Sequence, residues 1–324
     1  MGVGVFVLGM HRSGTSAATR LVNLLGFRAP AEEDLLPPDV GNPTGYWESS
    51  SLVAFNDKLL EALGSDMSCP IAFGPGWERD PRLDPFYPKA VELFDRVFSA
   101  PPWVFKDPRN CLTFAFWVRA LAIEPMVVLM LRNPCEIVAS YRDHWGEREG
   151  IPYLFALWER YLRQALLHIE GRPVLVARYE DLVASPVAWC DRARELLASS
   201  GLTFQEGCDD AALAFVDSQL RRESFSRRDF LEHAAVTEPQ RALFLALDEM
   251  DGVHDRFVPP SLPAETATTD ALLLERRRAV RIARELPANR WARAWGRVRR
   301  SQYLAPARVV YREVRRWSAA RVQA

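Results

Sequence analysis

Lysine is nearly missing from this 324-residue chain: three lysines stand against thirty-eight arginines. Almost every cation is therefore a planar guanidinium, and a retained lysine hints at a place that needs a compact charge. Cysteine is sparse as well. The five (Cys69, Cys111, Cys135, Cys190 and Cys208) include no C-x-x-C pair. An odd, dispersed set excludes a disulfide framework and the usual zinc spacings, so buried free thiols and no metal are expected. No apolar run approaches the ~20 residues of a membrane helix. The first apolar run has no basic segment ahead of it and stops at Gly9, so it reads as a core strand rather than a signal peptide. A cytoplasmic protein is the expectation. Internal repeats are absent too.

What remains is ordinary soluble composition, 48% hydrophobic and 26% charged, on a chain long enough for one large core or one core with an appended piece. The net charge of −1 hides an asymmetry. From Asp270 to Ala324 there are fifteen arginines and four acidic residues, +11 in all, which leaves −12 for the rest. A basic tail follows an acidic body.

Four short, β-branched apolar runs end near polar, Gly or Pro residues: Val5–Leu8, Trp103–Phe105, Met126–Leu131 and Val174–Ala177. Such runs suit strands buried on both faces of a parallel sheet. Helical patterns separate them, at Thr15–Leu25, Leu52–Leu63, Pro88–Phe98, Leu112–Ala122, Pro134–Tyr141, Ile151–Ile169 and Val187–Ser199. The alternation predicts an α/β fold, a central parallel sheet flanked by helices. Residues 1–260 are read as this α/β domain, 261–270 as a Pro/Thr linker, and 271–324 as an Arg-rich helical extension, with helical stretches at Ala271–Leu286 and Arg290–Arg321. In such sheets ligands bind beyond the carboxyl ends of the strands. Arg12, Lys106, Arg132 and Tyr179 all fall just past a predicted strand, so one cleft could gather them.

The most informative stretch is Gly9-Met10-His11-Arg12-Ser13-Gly14-Thr15-Ser16, between a strand and a helix. Small residues let backbone N–H groups approach an anion, and the helix N-terminus adds a favourable dipole. The glycines have the Walker A spacing, but Thr15 stands where that motif needs its lysine. The loop is a phosphate cradle without the main ATP contact. A second pattern is Arg132-Asn133-Pro134, a strand-ending turn, with Ser140 on the following helix.

These segments resemble the sulfotransferases that use 3′-phosphoadenosine 5′-phosphosulfate (PAPS). In that family the nucleotide loop carries its Lys or Arg two residues before the second glycine, as Arg12 does here. The resemblance implies that Arg12, Ser13, Gly14, Thr15 and Ser16 hold the 5′-phosphosulfate. It also implies that Arg132 and Ser140 hold the 3′-phosphate, and that Tyr179 of Tyr179-Glu180-Asp181 contacts the adenine. Arg221 and Arg222 would add late basic groups, while Glu180 and Asp181 read as partners of arginines or as a helix cap. Ala17 stands where the cytosolic small-molecule branch places a stacking tryptophan. Lys106, in Lys106-Asp107-Pro108-Arg109, resembles the catalytic lysine that stabilises the leaving phosphate; Arg109 could touch substrate or pair with Asp107.

Gly41-Asn42-Pro43-Thr44-Gly45-Tyr46-Trp47-Glu48 resembles the bacterial and carbohydrate-type segment whose glutamate is the general base. Glu48 is read as that base, or else as an acidic residue opening a helix; His11 is its reserve, and His144 lies away from the expected place. Trp47, Phe55, Phe73, Trp77, Trp145, Tyr153 and Trp158 could pack on a sugar or fill the core.

The implied activity is sulfuryl transfer from PAPS, leaving 3′-phosphoadenosine 5′-phosphate (PAP), to a hydroxyl of a saccharide or glycoconjugate, with neither metal nor nucleic acid involved. The alternatives are a P-loop kinase-like phosphotransferase and a non-catalytic nucleotide-binding protein recruited through its basic tail. The first lacks the Walker A lysine and an evident Walker B aspartate. The tail could meet an anionic membrane peripherally, contact a partner, or pack on the acidic body.

Overall fold

The structure, a computed structural model, describes residues 3–145, 149–198, 201, 203–204, 207–218, 221 and 223–285. Four parallel strands form its centre: β1 (Gly4–Leu8), β2 (Trp103–Lys106), β3 (Met126–Leu131) and β4 (Val174–Arg178). A fifth, β5 (Gly252–His254), pairs antiparallel with β4, giving the order β2-β1-β3-β4-β5. The chain is thus an α/β protein with a mostly parallel sheet. The first four strands are buried throughout apart from Arg178, which is why their sequences run continuously apolar.

Successive strand side chains feed opposite layers. Phe6, Leu8, Phe105 and Leu129 enter one core with α2 (Ser50–Ala62), α3 (Tyr87–Val97), α4 (Asn110–Leu121), α5 (Pro134–Trp145) and α6 (Ile151–His168). Val5, Val7, Val104 and Val128 enter the other. That layer holds α1 (Thr15–Leu24), α7 (Tyr179–Ala184), α8 (Pro186–Leu197) and α9 (Cys208–Phe215). Helix α6 is buried on nearly every side. Two short helices, α10 (Arg227–Leu231) and α11 (Glu238–Glu249), close the first layer beyond it.

The last described helix, α12 (Ala267–Glu285), begins inside the stretch read as linker, where Thr266 Oγ1 accepts the Thr269 N–H. It lies along α6. Leu273 is buried there, Thr269 donates to Glu159 at 2.9 Å, and the buried Arg160 grips Glu265 and Asp270. Part of the acidic body therefore neutralises cations internally. The second helical stretch expected at Arg290–Arg321 lies outside the described residues, as do Arg222 and the side chain of Trp145.

Candidate active site

The carboxyl ends of β1 to β4 share one edge of the sheet, and the loops that leave them meet there. After β1 the chain turns at Gly9 (φ +147°), where a Cβ would lie 2.9 Å from the Met130 carbonyl oxygen. Arg12 and Gly14 take positive φ, +70° and +89°. Ser13 closes the turn, its N–H and its hydroxyl both donating to the Met10 carbonyl, at 3.2 and 2.6 Å. The first helical bond of α1 is Ala18 N–H to Gly14 C=O, and Gly14 offers no side-chain cap. The N–H groups of Thr15, Ser16 and Ala17 therefore have no partner within the helix, and the positive end of its dipole faces the loop. Ser13 and Thr15 are themselves buried, and Ser13 spends both its N–H and its hydroxyl on the turn, so of the two only the Thr15 N–H stands at the open helix end.

Around that helix end the long-range bonds are mutual. Arg12 Nε donates to Ser140 Oγ at 2.9 Å and its Nη2 to the Gly41 carbonyl at 3.0 Å. Arg132 Nη1 donates to the Arg12 carbonyl at 2.9 Å, its Nε pairs with Glu136 at 2.9 Å, and its guanidinium lies 4.5 Å from the centre of the Tyr179 ring. That ring also presses on Gly14: a Cβ there would sit 2.2 Å from Tyr179. Gly14 is required twice, by its φ and by its neighbour. Arg12, Gly14, Arg132, Ser140 and Tyr179 line one cleft of about 380 Å³, closed on one side by the 39–44 loop. Ala17 lines it too, so no aromatic ring stands at that point of the wall.

Lys106 and Glu48 meet behind Ser16. The Lys106 ammonium donates to Ser16 Oγ at 3.1 Å, to the Tyr46 carbonyl at 3.1 Å and to a carboxylate oxygen of Glu48. Both are almost fully buried, 3% and 5% exposed. Burial pushes the Glu48 carboxyl upward, and the adjacent Lys106 charge works against it. Glu48 does not open a helix: Ser49 is the cap of α2, accepting from the Leu52 N–H, and Glu48 precedes it. Arg109 is taken up by Asp107 at 3.0 Å and Asp57 at 2.6 Å, a structural assignment between the two readings. Asp181 and Glu180 do face arginines, Arg192 at 3.8 Å and Arg221 at 3.7 Å.

His11 stands apart from these groups. Its ring packs between Tyr141 and Tyr161, at centroid distances of 5.5 and 5.6 Å, and does not line the cleft. Burial above all, then the neighbouring Arg12, Arg109 and Lys106 charges, lower its pKa to about 3. An unfolded chain would protonate this ring below about 6.5. The stability it contributes is thus complete above that pH and is lost as the pH falls toward 3, by about 1.4 kcal/mol per unit. In urea unfolding at about pH 7, 6 and 5, His11→Gln should show a shallower acid loss than wild type by that slope. Parallel slopes would contradict the buried neutral imidazole.

Asp39 had no place in the sequence reading, and His144 was read there as lying away from the site. Asp39 accepts from the Gly41 and Asn42 N–H groups, both at 2.9 Å, and from the Tyr46 hydroxyl at 2.8 Å. His144 reaches the cleft beside it, 3.7 Å from the Asp39 carboxylate. An Asx turn in Asp39-Val40-Gly41-Asn42 was the available signal. Among the aromatics, Phe55, Phe73, Tyr153 and Trp158 are core residues, and Trp77 stacks on Phe73 and donates to His168. Trp47 alone of those described stays near the cleft loop, with φ +58° and Arg20 4.8 Å over its ring. Among the described residues no cluster of metal-ligating side chains occurs, and no helix is long and apolar enough to cross a membrane.

No family model and no curated protein matches the chain. Among solved structures similar to the chain are two sulfotransferase domains. One is the sulfotransferase domain from the curacin biosynthetic pathway, 16% identical over 85% of this chain and 97% of that one, with a TM-score of 0.36. The other is the sulfotransferase domain from the Synechococcus PCC 7002 olefin synthase, 18% identical over 87% of this chain and 95% of that one, with a TM-score of 0.37.

Proposed function

We propose that this protein is a PAPS-dependent sulfotransferase acting on a hydroxyl acceptor. The observation that supports it is the convergence of Arg12, Arg132 and Ser140 on the N-terminus of α1, with Lys106 directly behind Ser16. Two guanidiniums, a hydroxyl and the N–H groups of a helix end suit a ligand with two separated anionic groups. The cleft volume, about 380 Å³, is in the range of small-molecule sites.

PAPS bound there would supply the sulfuryl group. The α1 N-terminus and Arg12 would hold its 5′ end, Arg132 and Ser140 its 3′-phosphate, and Tyr179 its base. Lys106 would stabilise negative charge on the departing phosphate. Glu48 would take the proton of the acceptor hydroxyl. As each now neutralises the other, the two groups separate for catalysis. A saccharide or glycoconjugate acceptor rests on the family resemblance, with Trp47 the one aromatic near the cleft loop to receive a sugar face.

PAP should bind saturably at one site per chain in a calorimetric titration. Arg132→Ala should weaken that binding about tenfold or more, the effect of losing a charge-assisted phosphate contact. Undiminished affinity in the variant would remove Arg132 from the site.

A further inference from the structure

Arg132 forms a wall between the cleft and a second cavity of about 280 Å³. Arg132 is the one lining residue the two spaces have in common. Its apolar lining comes from three elements and one loop: Leu131 at the end of β3, Trp158 and Leu162 of α6, Phe244 and Leu247 of α11, and Phe225. Most of these side chains are packed in the core, with Trp158, Leu162 and Leu247 each 2% exposed, and they present a narrow apolar strip to the cavity.

The polar lining has a definite sign. Arg132, Arg178, Arg221 and Arg227 all border the cavity. Asp248 serves both Arg178, at 2.8 Å, and Arg227. Glu136 serves both Arg132, at 2.9 Å, and Arg221, at 2.6 Å, and Glu180 stands 3.7 Å from Arg221. Four guanidiniums thus share three carboxylates, an excess of one positive charge. Arg178 Nε is buried and has no hydrogen-bond partner among the described residues. A buried donor of this kind is costly unless a ligand or water meets it. Arg227 is 58% exposed along its side chain and shares Asp248 with Arg178.

We infer that this cavity is a binding site for an amphipathic monoanion, an aromatic or short alkyl body bearing one carboxylate. The apolar wall takes the body, and the unmatched guanidinium charge takes the carboxylate. The site shares Arg132 with the first cleft, so the excess charge belongs to the nucleotide-free protein, and PAP affinity tests the sulfuryl-transfer reading separately.

Calorimetric titration of the full chain with 2-naphthoate tests it. The probe should bind below about 1 mM. Uncharged 2-naphthol should bind at least about tenfold more weakly, for want of the charge-assisted contact. Arg227→Gln should weaken 2-naphthoate about tenfold, and Phe244→Ala should do the same by removing part of the apolar wall. Thermal melting confirms that each variant is folded, and Arg227→Gln suffices if Phe244→Ala is not. Arg12→Gln, in the other cleft, should leave the affinity within about twofold. No binding at about 5 mM, equal affinity for 2-naphthol, or sensitivity to Arg12→Gln but not to Arg227→Gln would overturn the assignment.

Discussion

Lys106→Met should lower sulfuryl turnover by about 10²–10³-fold per folded molecule, the cost of losing one preorganised group at a developing charge. Affinity for PAP should change far less, because the charge it opposes develops mainly in the transition state. The same substitution carries a structural penalty that must be separated from the chemical one. Lys106 is almost wholly buried and directs its bonds to Ser16, Tyr46 and Glu48. Removing it leaves the Glu48 carboxylate buried without its cation, an arrangement that costs about 3–5 kcal/mol in comparable pairs. The double variant Lys106→Met with Glu48→Gln should recover much of that stability and none of the turnover. Turnover near wild type in folded Lys106→Met would end the catalytic assignment.

Glu48→Gln should reduce turnover by about 10²–10⁴-fold, the usual worth of a positioned general base. Glutamine keeps the shape and can still accept from Lys106, so PAP binding should persist. The rate profile adds a second readout. Burial raises the Glu48 carboxyl above its ordinary range, against the pull of Lys106. Activity should therefore climb on an acid limb displaced above that range, and the limb should vanish in the glutamine variant. Lost thermal stability with unchanged turnover per folded molecule would make Glu48 only the internal counter-ion of Lys106. His144 with Asp39, already in the cleft, would then be the base to examine.

The four parallel strands were legible to within a residue at each end, because burial on both faces leaves unbroken apolar runs in the sequence. The glycine loop between β1 and α1 was legible because its glycines and its helix are consecutive. What escaped had no such local trace. The three residues of β5 form no apolar run and pair at a sheet edge. Helices α10 and α11 were readable in principle: Ser226 and Asp229 form a capping box, and Thr237 and Gln240 have the same spacing, with the Thr237 N–H donating to Gln240 at 3.0 Å. Glu48 and Lys106 are 58 positions apart, and nothing in either segment announces the other. The cleft wall at Gly41, which accepts from Arg12 29 positions away, is likewise a product of tertiary packing. The aromatic residues show the converse: a stacking platform and a core residue look alike in sequence, and the sheet claimed most of them for its core.

The central claim is that the cleft is built for a nucleotide carrying a 3′-phosphate, and one comparison tests it most directly. PAP, 5′-AMP and ATP are titrated into the wild-type chain under identical salt. Arg132 and Ser140 should give PAP an advantage of about 1.5–3 kcal/mol over 5′-AMP, or roughly 10–100-fold in affinity. ATP should bind less well than PAP, since Thr15 occupies the position of the lysine that reaches the β- and γ-phosphates. Equal affinity for PAP and 5′-AMP, or tighter binding of ATP, would contradict the claim.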